Sequence, residues 1–374
     1  MRILIFTDWF EPAYKAGGPV RSVVNMVRYL SHHDDVFVFT ADRDLDDLQP
    51  FDEIAVDQWI KIDGIQVFYG SPGRMTFAQI RKVIREINPD WIYLNSMFSN
   101  MIIPLMVGYQ SGKIIMAPRG MLKPSALSHK YFKKYFYCAF LRFMGIEKYI
   151  RFHALDLQEV SEIRKVFPKA GEIMVAPNIA SGISRRTETM GKNPGKLVAL
   201  FSARLHPIKN LDFLLRIMKG VKGEVFLKIA IIREDESYYK ECLSLSEKLP
   251  ANVSVTWMMN LPPDDILKLL KTVHLFVLPT KGESFGHSIF EALSVGCPVL
   301  ISDQTPWKGL LQRKAGMELS LQQELFVEAI NSFVEMSGAE WQSFSEGAAD
   351  LAIEYMGKSD PAIYYSKLFS RHES

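Results

Sequence analysis

Short apolar runs alternate with amphipathic segments along this chain, and the whole series occurs twice. Runs at 3–7, 36–40, 67–69, 91–94 and 114–117 read as buried strands, with helical periodicity at 20–30, 77–87 and 100–108 between them. Such alternation predicts βαβ units around a parallel sheet. Asn88-Pro89-Asp90 makes a clean helix-to-strand break. A second series follows, with strands at 197–202, 225–232, 253–257, 275–279 and 298–302, and helices at 211–218, 237–248, 263–272, 288–295 and 321–336. The polar stretch 181–195 has little to bury and reads as a linker. The expected architecture is α/β: two Rossmann-like doubly wound domains, 1–180 and 181–350, with a C-terminal helical segment 351–374 that packs back on the first.

Composition narrows the function. Charged residues make up 23% of the 374, and the formal net charge is +2, which argues against nucleic acid as a partner. Cys138, Cys242 and Cys297 are far apart and lack metal-ligand spacing, so neither a disulfide framework nor a zinc site is expected. The first residues, MRILIFTDWF, read as a strand rather than a signal peptide, and no apolar run reaches membrane-spanning length. A cytoplasmic location is expected, with attachment at the inner face of the membrane left open.

Open parallel sheets bind ligands beyond the carboxyl ends of their strands, so the segments just after strands matter most. Phe201–Asn210 (FSARLHPIKN) offers two cations, Arg204 and Lys209, beside a helix start for which Asn210 is a plausible cap. Two cations at such a place suit a diphosphate, although solvated loop charges look the same. Residues 7–20 hold Gly17 and Gly18, which permit close backbone approach and positive φ, ahead of Pro19 in a first helical turn. This is neither a dinucleotide fingerprint nor a P-loop. In 279–295, Gly282, Glu283 and Gly286 form a loop and Glu291 follows in an apolar helix. Carboxylates accept paired hydrogen bonds from sugar hydroxyls, but a helix glutamate with a local cation partner reads alike. Asp42-Arg43-Asp44 reads as a solvated acidic loop rather than a metal site.

Taken in order, these pieces resemble the retaining glycosyltransferases of GT-B fold, family 4, over nearly the whole chain. Glu283 and Glu291 match the E-x7-E signature, S-A-R-L-H-P-I-K-N resembles the donor-diphosphate segment, and Ala176-Pro177-Asn178 resembles the turn before the domain crossover. The resemblance implies a donor site of Gly17, Gly18, Arg204, Lys209, Glu283, Phe285, Gly286, His287, Ser288 and Glu291. There Glu291 binds ribose, Glu283 meets the transferred sugar, and Arg204 and Lys209 neutralise the diphosphate without metal or other cofactor. Where many members carry a His near the reacting carbon, this chain has Pro118-Arg119-Gly120-Met121, which implies that Arg119 and Gly120 line the acceptor side or the donor sugar, Arg119 acting catalytically but, as a permanent cation, not as a general base. Tyr14 and Lys15 are further acceptor-side candidates, and so is His153 at a strand end, although a hydrogen-bonded structural histidine is the safer reading of it.

The expected partners are a nucleotide sugar, with UDP the default base, and a saccharide or lipid-linked acceptor, in surface polysaccharide synthesis. Two other readings fit the same domains: a non-catalytic nucleotide-sugar-binding protein, and a nucleotide-sugar epimerase. The segment 128–142 mixes cations with aromatics at helical spacing. It reads either as a peripheral membrane helix or as a core-facing aromatic stripe with a solvated basic face.

Overall fold

The structure, a computed structural model, describes residues 1–99, 113–123, 126–127, 131–186, 190–358 and 360–370. The helix expected at 100–108 lies outside them. The chain divides into two compact units, Met1–Ile179 with the C-terminal segment, and Ala180–Lys358.

In the first unit the strands are β1 (Arg2–Thr7), β2 (Asp35–Ala41), β3 (Trp59–Ile62), β4 (Ile65–Gly70), β5 (Trp91–Asn95), β6 (Ile114–Ala117), β7 (Ile150–Ala154) and β8 (Ile173–Val175). Their order is β3-β4-β2-β1-β5-β6-β7-β8, and only β3 pairs antiparallel. Successive side chains of a strand point to opposite faces. Ile3 and Ile5 accordingly pack with helix α1 (Gly18–Leu30). Leu4 and Phe6 join the cluster that holds Ile80, Val83, Ile84 and Ile87 of α2 (Phe77–Ile87), Cys138 and Leu141 of α3 (Tyr131–Phe143), and Ile163 of α4 (Leu157–Val166). A sheet covered on both faces needs apolar side chains at every position, which is why these strands read as unbroken runs. Thr76 caps α2 by accepting from the Gln79 N–H, and Asn88 closes it in the left-handed region at φ 45°.

The second unit contains β9 (Lys196–Leu205), β10 (Glu224–Arg233), β11 (Val253–Met259), β12 (Leu275–Leu278), β13 (Val299–Ser302) and β14 (Gly316–Leu319). These lie in the order β11-β10-β9-β12-β13-β14, with every pair parallel. Its helices are α5 (Leu211–Ile217), α6 (Glu236–Ser246), α7 (Pro263–Leu270), α8 (His287–Ser294), α9 (Gln323–Glu335) and α10 (Gly338–Lys358). The chain steps from β9 to β10 on one side and returns to β12 on the other, so the β9/β12 boundary is the switch point of this sheet. The last described helix, α11 (Pro361–Leu368), belongs to the first unit and buries Tyr365 and Leu368 in the core beside α1.

Several expectations need correction. The domain change falls after Lys358, not at 350, because α10 runs unbroken across 350. The expected linker 181–195 is anchored on the second unit. Lys192 is 4% exposed and its Nζ donates to the carbonyls of Val334 and Met336 at the end of α9, where a cation satisfies orphan helix carbonyls. Arg186 lies over the Trp341 ring and donates to the Leu270 and Val273 carbonyls. Polar composition concealed these partners because the carbonyls come from residues distant in sequence. Asp42 and Asp44 are not solvated: they are 2% and 4% exposed. Asp42 pairs with Arg43, and Asp44 accepts the N–H groups of Tyr14, Lys15 and Leu45.

Candidate functional site

The loops after β9, β10, β12 and β13 come together in the second unit. Arg204 sits at the end of β9, and its Nη1 lies 3.3 Å from a carboxylate oxygen of Glu234, just past β10. A 3₁₀ turn, Pro207–Lys209, then directs Lys209 at Glu283, and Nζ contacts Oε1. This pair is largely shielded, with side chains 18% and 12% exposed, so its mutual attraction is stronger than that of a surface ion pair. Asn210 stands at the start of α5 with φ 62° but makes no side-chain cap, against expectation.

The loops are stitched by hydrogen bonds. Lys281 N–H and the Thr280 hydroxyl both donate to the Ile208 carbonyl, at 2.7 and 3.1 Å. Glu283 N–H donates to the Gln304 carbonyl at 3.1 Å, and the Ser302 hydroxyl donates to the Thr280 carbonyl at 2.5 Å. Trp307 Nε1–H donates to the Phe285 carbonyl at 2.7 Å, and its ring packs against Phe285, Phe290 and Tyr355. Gly286 then opens α8 at φ 80°, where a Cβ would come 2.8 Å from the Ile289 side chain. Only glycine fits there without strain. Phe285 and His287 are 7% and 9% exposed, Ser288 occupies the first turn of α8, and Glu291 follows in the helix at 4% exposure.

The first unit treats its candidates differently. Gly17 adopts φ 69° ahead of α1, while Gly18 is already its first residue. Asp44 holds the Tyr14-Lys15 backbone, and Asp47 pairs with the Lys15 ammonium. Arg119 makes side-chain hydrogen bonds to three residues of the first unit. From a left-handed backbone at φ 54° its Nε donates to Asn95 Oδ1 at 2.9 Å, Nη1 to Asn178 Oδ1 at 2.6 Å and Nη2 to the Tyr93 hydroxyl at 2.7 Å. These contacts hold the guanidinium in place. Gly120, at φ 75°, donates its N–H to the buried Glu159 at 2.5 Å, and Glu159 also accepts from Leu155 N–H. Burial raises the Glu159 carboxyl above its ordinary range, against those two hydrogen bonds.

His153 is fully buried, which fits the structural reading of it rather than the acceptor-side one. Its Nδ1 lies 2.7 Å from the Tyr93 hydroxyl and its Nε2 lies 2.7 Å from the Ala176 carbonyl. One tautomer satisfies the chain: Arg119 donates to Tyr93, the Tyr93 hydroxyl donates to Nδ1, and Nε2–H donates to Ala176. Burial first, then Arg119, pushes the His153 pKa down to about 3, so the ring is neutral at neutral pH.

Glu159, Glu234, Ser302, Gln304 and Trp307, which hold these loops by their contacts, were not singled out from the sequence. Glu234, Ser302 and Gln304 sit at or just past strand ends, the one positional signal that marked them.

Residues 185–349, within the second unit, match the family described as Glycosyl transferases group 1. The chain is similar to the D-inositol 3-phosphate glycosyltransferase of Segniliparus rotundus, at 27% identity over 115 residues, 30% of this chain and 26% of that protein. It is also similar to the Nocardia farcinica enzyme of the same name, at 26% over 121 residues, 30% and 27% of the two chains. The matches therefore span about a quarter of these relatives. Among solved structures, sucrose-phosphate synthase from Thermosynechococcus elongatus matches with TM-score 0.71 and 14% identity over 99% of this chain and 98% of that one. Anabaena HepE in complex with UDP and glucose matches at 0.65 and 15%, covering 98% of each. WaaG, a glycosyltransferase of lipopolysaccharide biosynthesis, matches at 0.65 and 12%, also over 98% of each. With its two doubly wound sheets, the protein has the GT-B fold.

Proposed function

We propose that the protein is a retaining, metal-independent glycosyltransferase of family 4. It moves a sugar from a nucleoside-diphosphate sugar, with UDP as the expected carrier, to a hydroxyl of a saccharide or lipid-linked acceptor in surface polysaccharide synthesis. The observation that carries the reading is the shielded Lys209–Glu283 pair, with Arg204 nearby, where loops from adjacent strands β9 and β12 are stitched together. The match of this same unit to a glycosyltransferase family supports it.

In this mechanism the anomeric C–O bond to the diphosphate breaks first. Lys209 and Arg204 take up the negative charge that develops on the leaving group. Glu283, held by Lys209 and by its own N–H on Gln304, accepts from a sugar hydroxyl and fixes the orientation of the ring. Glu291 accepts from ribose. The acceptor oxygen forms the new bond on the face the diphosphate leaves, and its proton passes to a departing phosphate oxygen. Two protein cations serve in place of a bound divalent ion.

Incubation with a panel of nucleotide sugars and acceptors tests this, reading nucleotide release and the anomeric configuration of the product. Retained configuration and a rate indifferent to a chelator are expected. An inverted product would refute retention, and activity lost to chelator but restored by magnesium would refute metal independence. An altered donor formed without acceptor would point to epimerisation.

A further inference from the structure

Helix α3 turns the wrong way for a core element. Cys138 and Leu141 are its buried side chains, at 4% and 2% exposure, and the Lys134 ammonium lies over the Phe98 ring and donates to the Ala126 carbonyl. The larger aromatics point outward. Phe132 is 75% exposed, Phe136 67%, Phe140 42% and Phe143 87%. At spacings of four, four and three residues these form one stripe along the helix. Tyr135 flanks it, and exposed Met144 and Tyr149 continue the apolar surface past the end of α3. The core-facing reading of the aromatic stripe is thus overturned. Single exposed apolar residues are ordinary, but a contiguous aromatic stripe marks an interaction surface.

Charge selects the partner. Between 131 and 149 the cations are Lys133, Lys134, Arg142 and Lys148, against a single acid, Glu147, which is buried at 3% exposure. Lys133 and Lys148 are exposed. We infer that α3 docks in the plane of an anionic lipid bilayer, with its phenylalanines among the acyl chains and its lysines at the headgroups. Interfacial helices combine apolar burial with attraction to anionic lipid in this way. A second copy of the chain suits the face poorly. Two-fold pairing of identical helices would bring cations toward cations with no exposed carboxylate on either helix to meet them. The inference stands apart from sugar transfer, and its test needs no activity.

The test is co-sedimentation of the full chain with vesicles of phosphatidylcholine alone and of phosphatidylcholine mixed with phosphatidylglycerol. Wild type is expected to bind the mixed vesicles and to release them in high salt. The combined Phe132→Ser, Phe136→Ser and Phe143→Ser variant is expected to bind at least about tenfold more weakly, with unchanged circular dichroism. A Lys133→Glu, Lys148→Glu variant is expected to lose the preference for anionic vesicles while the aromatic face stays intact, and it carries the test if the serine variant misfolds. Wild type that ignores both vesicles overturns the inference, as does a folded serine variant that binds undiminished. A wild-type dimer that becomes monomeric in the serine variant, with no vesicle binding by either, assigns the face to a second copy and overturns it too.

Discussion

Lys209 and Arg119 are both cations on loops past the carboxyl ends of parallel strands, and their surroundings differ in kind. Lys209 meets one charged partner, Glu283, on the neighbouring loop. Arg119 divides its guanidinium among Asn95, Asn178 and Tyr93, neutral groups from separate parts of the first unit. A cation held by one carboxylate keeps donors that an anionic ligand can use. A cation shared among several neutral acceptors is a staple, because any ligand drawing it away leaves those acceptors unpaired. The first arrangement suits binding and catalysis, and the second suits positioning.

The contrast can be broken at either end. Lys209→Ala should cut sugar transfer at least about tenfold, about 1.4 kcal/mol in barrier, with little change in melting temperature. Glu283→Gln should also lower the rate while keeping the loop hydrogen bond from its backbone. Parallel loss of folding and activity would move Lys209 into Arg119's class. Arg119→Met should do the opposite, destabilising the protein by about 2 kcal/mol with an activity loss no greater than the unfolded fraction explains. A large drop in kcat at unchanged stability would return Arg119 to the chemistry.

Acid sharpens the same contrast. The His153 pKa falls from 6.5 to about 3 on folding, so the unfolded chain binds this proton first. The contribution is complete above pH 6.5 and is lost as pH falls toward the folded value. Melting followed downward from pH 7 should show a loss of about 2 kcal/mol by pH 5 that a His153→Gln variant lacks. The smallest effect is expected at the loop clamp. Trp307→Phe keeps the ring contacts but drops the N–H on the Phe285 carbonyl, at a cost of about 1 kcal/mol, and a rise in donor KM with nearly constant kcat would show a loosened loop.

Much of the fold was legible because doubly buried strands write themselves as apolar runs, as β1, β2, β5 and β6 do. Edge strand β3 was missed because it is half exposed and short, and β7 because Arg151 and His153 interrupt its run. The E-x7-E pair and the S-A-R-L-H-P-I-K-N segment were legible as local patterns. The Lys209–Glu283 contact was not, since its partners lie 74 residues apart. The buried place of Asp44 rests on the Tyr14 and Lys15 N–H groups from a distant loop, so local composition made it look solvated.

The central claim is that the strand-end loops of the second unit hold a nucleoside diphosphate. Thermal shift of wild type and Lys209→Ala with a panel of nucleoside diphosphates and nucleotide sugars, without added metal, tests it most directly, because a ligand specific to the folded state raises its melting temperature. A selective rise with one base, much reduced in the variant, is the predicted result. A panel that leaves wild type unmoved, or that shifts both proteins equally, would contradict it.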